Sequence, residues 1–374
     1  MSERVLVTGG AGFIGSHTVD RLLEQGADVR VLDSLHRQVH PSGEAPPHLD
    51  PAAQLVVGDV RDLETVRAAV RGVDRVIHYA AETSVGQSMY QSDKHIDVNV
   101  RGTAILFRAL REEGVAADRV VISSSRAVYG EGACRCARCG IVHPGPRSLQ
   151  DLEAGVWSHR CPTCSQPLEP VPTPEDAPML HGSVYGMTKA FQEQVGRAAA
   201  HQLDIPLVVL RYFNVYGPRQ SLDNPYTGLV MTFALRLLGG KPLVLYEQGT
   251  PVRDFVHVHD VVAASVRALM GDAPTECTLN VGVGVGVRLT ELAQELGHAF
   301  DRDVDLEPAN RFRRGDIHAA IADLSRSRAA IGYEPRVTLD EGLRTIVPEL
   351  ESASASDRSE AVEHELRRHG VLRG

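Results

Sequence analysis

Short apolar runs alternate with longer amphipathic stretches through the first half of the chain. RVLVT (4–8), DVRVLD (28–33), QLVVGD (54–59), RVIHYA (75–80) and RVVISSS (119–125) are β-branched and apolar on consecutive positions, as strands are when helices cover both faces of their sheet. Between the first two, Val19, Leu22 and Leu23 recur at helical spacing and stop at Gly26, where glycine ends a helix readily in a left-handed cap. Strand, helix, strand in this order predicts βαβ units and an α/β fold with a doubly wound parallel sheet. PLVVLRYFNVYG, from Pro206, predicts a further strand. Later segments, more irregular and richer in Gly and Pro, are expected to build a smaller C-terminal α/β domain. After about residue 350, ESASASDRSEAVEHELRRHG is small, polar and charged, and is expected as a surface helix or frayed tail with no role in chemistry.

Composition narrows the ligand class. The 374 residues are 43% hydrophobic and 23% charged, enough to bury one large core or two smaller ones. A net charge of −9 argues against general affinity for nucleic acid or an anionic membrane. No run approaches the roughly eighteen apolar residues of a membrane span, and MSERVLVTGG enters a strand directly, without a signal-peptide pattern. The expectation is a cytoplasmic protein with a small ligand. In that compartment clustered cysteines are metal ligands more often than disulfides.

The first strand runs into TGGAGFIG, with Gly9, Gly12 and Gly15 three apart around Phe13 and Ile14. Glycine there permits positive φ, close approach of a pyrophosphate and tight helix packing, while the helix N-terminus offers free N–H groups to phosphate. Asp33 ends the second strand eighteen residues after Gly15, where a carboxylate can bond both adenosine ribose hydroxyls and repel a 2′-phosphate. This Rossmann-type arrangement favours NAD over NADP, although Arg37 lies nearby. Asp59, with Val60 after the third strand, is placed either to reach the adenine or to cap the helix LETVRAAV.

Tyr185 and Lys189 in SVYGMTK are four apart and share a helical face. A phenol is a poor base at neutral pH unless a nearby ammonium draws its pKa down, and Lys189 is the candidate for that role. A hydroxyl such as Ser125, at the end of the fifth strand, can hold the alcohol oxygen while Tyr185 takes its proton. These are the groups that hydride abstraction by NAD requires.

The glycine loop, serine-rich strand end and YxxxK, in this order, resemble the extended short-chain dehydrogenase/reductase family, whose members modify nucleotide-activated sugars. The resemblance extends over roughly residues 3–348, apart from a cysteine-rich stretch, through TGGAGFIG, HYAAETSVGQS, NVRGT, SSSRAVYG, YGMTK, LRYFNVYGP, VRDFVHVHD and RFRRGD. It implies a catalytic triad of Ser125, Tyr185 and Lys189, with Lys189 also on the nicotinamide ribose. It places Ala80, Ala81 and Asn99 along the cofactor, and Thr83, Asn214, Arg253 and Arg313 on a nucleotide-diphosphate sugar, for which guanidinium forks suit the phosphates. Arg314 competes with Arg313 for that part. The resemblance also implies a homodimer formed through the helix near Val98 to Leu110 and the helix carrying Tyr185.

Family reactions of this kind start with oxidation at sugar C4 and then diverge. Dehydratases carry an Asp-Glu pair after the catalytic hydroxyl residue, and decarboxylases keep a glutamate there; this chain has Arg126 and Ala127. Neither can act as that acid–base pair, so 4,6-dehydration and decarboxylation are disfavoured alternatives; C4 reduction is a further alternative within the family. A net dehydrogenase would need a cysteine nucleophile, and Cys277 reads as a buried strand residue. NAD-dependent 4-epimerisation through a transient 4-keto sugar is the expected activity, with a non-catalytic NAD-sensing regulator as its rival from another class. The insertion and LDSLHRQVHPSG look most like dTDP-L-rhamnose 4-epimerases.

Five of the six cysteines crowd into GEGACRCARCGIVHPGPRSLQDLEAGVWSHRCPTCSQPLEPV. Ser125 and Tyr185 are 60 apart, against about two dozen in typical members, and an unstructured loop of the surplus length is uncommon. Cys136 and Cys139 form one CxxC, Cys161 and Cys164 another, with 21 residues between. Two such knuckles supply four thiolates for a structural zinc, which a module this small needs in order to fold. Cys134 is an alternative to Cys136, and His143 and His159 are weaker candidates. The expected organisation is an NAD-binding domain over 1–131 and 171–212, an inserted zinc ribbon over 132–170 acting as a lid or interface element, a nucleotide-sugar domain mainly over 213–350, and a tail over 351–374.

Overall fold

The computed structural model describes residues 2–224, 226, 228–353 and 357–374. Seven strands form the central sheet: β1 (Arg4–Thr8), β2 (Asp28–Asp33), β3 (Gln54–Val57), β4 (Arg75–His78), β5 (Arg119–Ser125), β6 (Leu207–Tyr212) and β7 (Glu276–Val281). Their order is β7-β6-β5-β4-β1-β2-β3, and every pairing is parallel. The predicted strands are therefore present, with those after Gln54 and Arg75 ending two residues early.

Burial explains the continuous apolar runs. α1 (Phe13–Glu24) and the helix Val258–Met270 cover one face, while α2 (Leu63–Val70), α3 (Gly102–Glu112) and α4 (Val184–Gln202) cover the other. Val5, Val7, Val31 and Ile77 belong to the core on the first face; Leu6, Leu32, Val76 and Ile122 belong to the second. The chain reverses direction between β1 and β4, so a crevice opens at their C-terminal ends, where ligands of doubly wound sheets bind.

A second core packs Met231, Phe233, Leu243, Leu292, Leu296, Leu343 and Ile346 around the helices Leu229–Leu238, Leu289–Phe300 and Leu339–Ser352. It forms the smaller lobe beside the crevice. The inserted residues build a three-stranded antiparallel sheet from Cys134–Cys136, Gly140–Val142 and Leu168–Pro170.

Of the surface helix and the frayed tail expected at the C-terminus, the structure has the helix, and it is packed down. Helix Ser359–Arg368 buries Val362 and Leu366, and Leu372–Arg373 pairs antiparallel with Phe312–Arg313. Apolar residues in an otherwise charged sequence attach it: Leu366 and Leu372 are 1% and 3% exposed.

Candidate active site

The glycine loop is built by close contact. Gly9 has φ +70°, and a Cβ there would lie 2.8 Å from the Ala80 nitrogen; a Cβ on Gly15 would lie 2.1 Å from the Gly9 oxygen. Only glycine lets the β1 turn press against β4 and α1 start behind it. Asp33 is fixed at the end of β2, its Oδ2 accepting from the Ala11 amide at 3.0 Å and its Oδ1 from the Leu35 amide at 2.9 Å. A cavity of about 490 Å³ runs from here to the catalytic residues. Gly9, Gly12, Phe13, Ile14, Gly15 and Asp33 line its inner end, and Asp59, Val60, Ala80, Ala81 and Thr83 continue the wall, whereas Arg37 does not reach it.

Asp59 faces this cavity instead of capping the following helix, whose N-cap is Asp62. Arg61 bonds Asp59 at 2.7 Å and holds its carboxyl below the ordinary value. Asn99 departs from its expected position. It is fully buried and absent from the cavity wall, clamping Glu82 through a bond from the Glu82 amide to Oδ1 (2.7 Å) and donating Nδ2 to the Glu82 carbonyl and Thr188 Oγ1 (both 3.0 Å). Its task is to shape the loop on which Ala80, Ala81 and Thr83 lie.

α4 delivers Tyr185 and Lys189 to the end of β5. Ser183 caps the helix by accepting from the Gly186 amide at 3.1 Å, and a Cβ on Gly186 would lie 2.4 Å from the Ala127 carbonyl oxygen. The helix start can thus lie against the turn that follows Ser125. Ser125 lies beside Tyr185 on the wall of the first cavity, its hydroxyl accepting from the Ala127 amide at 3.2 Å. Lys189 is 2% exposed and donates to the Ser123 carbonyl at 2.9 Å and Gln192 Oε1 at 2.8 Å. Gln192 in turn donates to Thr103 Oγ1, which also meets His78 Nε2, both at 3.0 Å. This buried polar chain fixes the lysine.

Electrostatics alter the expected division of labour. Burial pushes the Tyr185 phenol above its ordinary value, and the influences opposing it are the Ser125 hydroxyl and the charge of Arg126. Burial also pulls the Lys189 ammonium down to about 7. Among the charges around Tyr185, that of Arg126 opposes the effect of burial, while Lys189 is bonded to Ser123 and Gln192. Arg126 lines both cavities beside Tyr185, a position that sequence reasoning did not single out and whose only signal was its place next to Ser125.

A second cavity, about 340 Å³, meets the first at Ser84, Arg126, Tyr185, Asn214, Tyr226 and Gly228. Arg253 and Arg313 lie on its wall, as does Arg314. Arg313 stacks over Tyr246, with 5.0 Å from its guanidinium carbon to the ring centre, and its buried Nε has no protein partner. Asn214 Oδ1 is also buried without a partner. Arg253 instead spends its fork on the carbonyls of Val252, Ile317 and His318 and on Asp316 Oδ1, at 2.7 to 3.1 Å. A cationic, partly unsatisfied wall next to the catalytic groups suits a diphosphate.

Residues 5–148 and 162–282 match the NAD dependent epimerase/dehydratase family. The chain belongs to that family. It is similar to a dTDP-L-rhamnose 4-epimerase of Burkholderia thailandensis, 38% identical over 91% of this chain and 93% of the relative. Among solved structures it resembles a UDP-glucose 4-epimerase of Thermotoga maritima with UDP-glucose (TM-score 0.75, 30% identity, 93% of this chain and 98% of that one). It also resembles a Thermus thermophilus UDP-glucose 4-epimerase with NAD (TM-score 0.72, 31% identity, 94% and 99%). For a member of the NAD-dependent epimerase/dehydratase family, the glycine cradle and Asp33 are a fitting NAD site. The groups that a regulator without catalysis would lack are assembled here.

Two further features of this family member concern its additions. Val362, Glu363 and Leu366 of the C-terminal helix line the second cavity, so the segment expected to be remote from chemistry forms its wall. In the insertion, Cys136, Cys139, Cys161 and Cys164 bring their sulfurs within 4.8 Å of one another. A tetrahedral site with Zn–S bonds of about 2.3 Å has sulfur separations of about 3.8 Å, which this donor set fits. Cys134 lies outside it, with its thiol pushed up to about 12 by burial, and His159 is engaged with Glu131 at 3.0 Å. Among the described residues no helix is long and apolar enough to cross a membrane.

Proposed function

We propose that this protein is a 4-epimerase of a nucleotide-diphosphate sugar, a dTDP-hexose such as dTDP-L-rhamnose, working through a transient 4-keto sugar. The observation that carries this reading is the junction of the two cavities. Tyr185 and Arg126 line both cavities there and Ser125 lines the first, and the two residues that follow Ser125 are Arg126 and Ala127, so no carboxylate stands at the positions that dehydration or decarboxylation would use. NAD, when bound, supplies the hydride acceptor and donor for C4. Ser125 would hold the C4 oxygen, Tyr185 would take its proton and later return it, and Lys189, on the wall of the first cavity, would hold the nicotinamide ribose. Asn214, Arg313 and Arg253 hold the diphosphate, with Arg253 acting chiefly through its charge. The similarity to a dTDP-L-rhamnose 4-epimerase supports the choice of sugar.

The four clustered cysteines are assigned to one structural zinc. Elemental analysis should find about one zinc per chain, lost in Cys136→Ser and kept in Cys134→Ser. The deciding experiment for the activity is incubation with a panel of dTDP- and UDP-sugars, with NMR at C4 of the products. Inversion at C4 of a dTDP-hexose is expected; loss of water, loss of CO₂, or no change with any sugar would refute the assignment.

A further inference from the structure

The walls of the two cavities contain no residue of 132–170, so the insertion does not cover the site as a lid. Its contacts lead elsewhere. Arg147, from the middle of the insertion, has a side chain only 3% exposed and lies between Glu131 (4%) and Glu247 (3%). Its Nη2 donates to Glu247 Oε1 at 3.0 Å and to the Asp316 carbonyl at 3.2 Å; its Nη1 donates to the Trp157 carbonyl at 3.2 Å; its Nε lies 3.3 Å from Glu131 Oε1. Glu131 Oε2 accepts from the His318 amide at 2.7 Å and meets His159 Nε2 at 3.0 Å.

The backbone held in this way is the one that grips Arg253. The Ile317 and His318 carbonyls and Asp316 Oδ1 take three of the four hydrogen bonds of its guanidinium. The same insertion reaches the other phosphate-facing arginine by apolar packing. Leu149, Leu152 and Trp157 cluster with Phe312, the residue before Arg313, with the Trp157 and Phe312 ring centres 6.3 Å apart. Glu247 itself lines the second cavity. A buried fork with two carboxylates and two carbonyls is a rigid brace, because leaving any one of its partners unpaired is costly.

We propose that the cysteine-bearing insertion is a brace for the nucleotide-sugar site, and that Arg147 is its positioning residue, setting Arg253 through residues 316–318 while Trp157 and Phe312 set Arg313. The inference rests on the nucleotide-sugar reading above, and its test separates the two. The full-length protein is titrated calorimetrically with dTDP and with UDP, and KM and kcat are measured on the sugar that turns over. Zinc and NAD contents are determined in parallel. In Arg147→Met, the affinity for the nucleoside diphosphate should fall and KM should rise by about tenfold or more, because phosphate ligands displaced by even a fraction of an ångström lose their geometry. Zinc and NAD contents should stay at wild-type values, and Arg147→Lys, which retains the charge without the fork, should recover part of the affinity. If Arg147→Met does not fold, the double variant Arg147→Met/Glu247→Gln, in which Glu247 is no longer an unpaired charge, carries the same expectation. Affinity and KM within twofold of wild type, or a fall in kcat alone, would overturn the brace. A wild-type protein that binds neither dTDP nor UDP would instead overturn the nucleotide-sugar reading.

Discussion

At the scale of single residues, the site works by distributing charge over buried groups. Tyr185 is pushed up by burial and drawn back by Ser125 and Arg126. Removing the cation in Arg126→Ala should raise the phenol further, so the pH at which kcat climbs to its plateau should move upward while Arg126→Lys stays near wild type. A profile that does not move in Arg126→Ala would remove Arg126 from this role. Lys189 makes a second prediction. Its folded pKa lies near 7, against about 10.4 in an unfolded chain. Between these values the unfolded chain binds the proton and the native protein does not, so this group adds stability as pH rises through the window. Urea unfolding of wild type and Lys189→Met should show wild type gaining on the variant from pH 7 to pH 9, by at most about 1.4 kcal/mol per pH unit. A difference independent of pH would mean that the lysine stays charged.

At the scale of elements, the C-terminal helix lines the second cavity, while the insertion packs behind it through Arg147 and Trp157. The C-terminal helix is attached through Leu366, whose Cδ2 would lie 3.0 Å from a Cβ on Gly86, and through hydrogen bonds from Tyr226 to Glu365 at 2.5 Å and from Tyr246 to Glu363 at 2.6 Å. Leu366→Asp places an unpaired carboxylate in that apolar contact. The expected result is a KM for the nucleotide sugar raised by about tenfold, through loss of part of the wall, with NAD content unchanged. An unchanged KM would show that the helix only decorates the cavity. None of this was legible from the local sequence. ESASASDRSEAVEHELRRHG has the composition of a solvated tail, and only its few apolar positions, Val362 and Leu366 among them, meet Gly86, Tyr90, Tyr226 and Tyr246 across more than a hundred residues of chain. The insertion, by contrast, announced its four clustered cysteines, since two CxxC knuckles are a local pattern with one common use.

At the scale of the whole molecule, α4 leaves Met187 and Phe191 38% and 44% exposed, four residues apart on one face, with Ile96 50% exposed ahead of α3. Exposed apolar side chains on the two helices expected to form a homodimer make that assembly a concrete prediction. Light scattering should find a dimer for wild type and a monomer for Met187→Asp/Phe191→Asp; a monomeric wild type would exclude it. The sequence by itself determined what depends on local period and spacing: the strands of the parallel sheet, the glycine turn with Asp33, Tyr185 and Lys189 on one helical face, and the paired cysteines. Each of these follows from where a side chain must point within one strand, turn or helix. The tertiary structure decided what depends on neighbours far apart in the chain. It set Asn99 behind the cavity wall, placed Arg126 with Tyr185 on the wall of both cavities, turned Lys189 to Ser123 and Gln192, and brought Arg147 to Glu247, 100 positions away. A buried charge is committed to whichever opposite charges the fold delivers to it, and that delivery is a property of packing between elements, with no trace in the residues beside it.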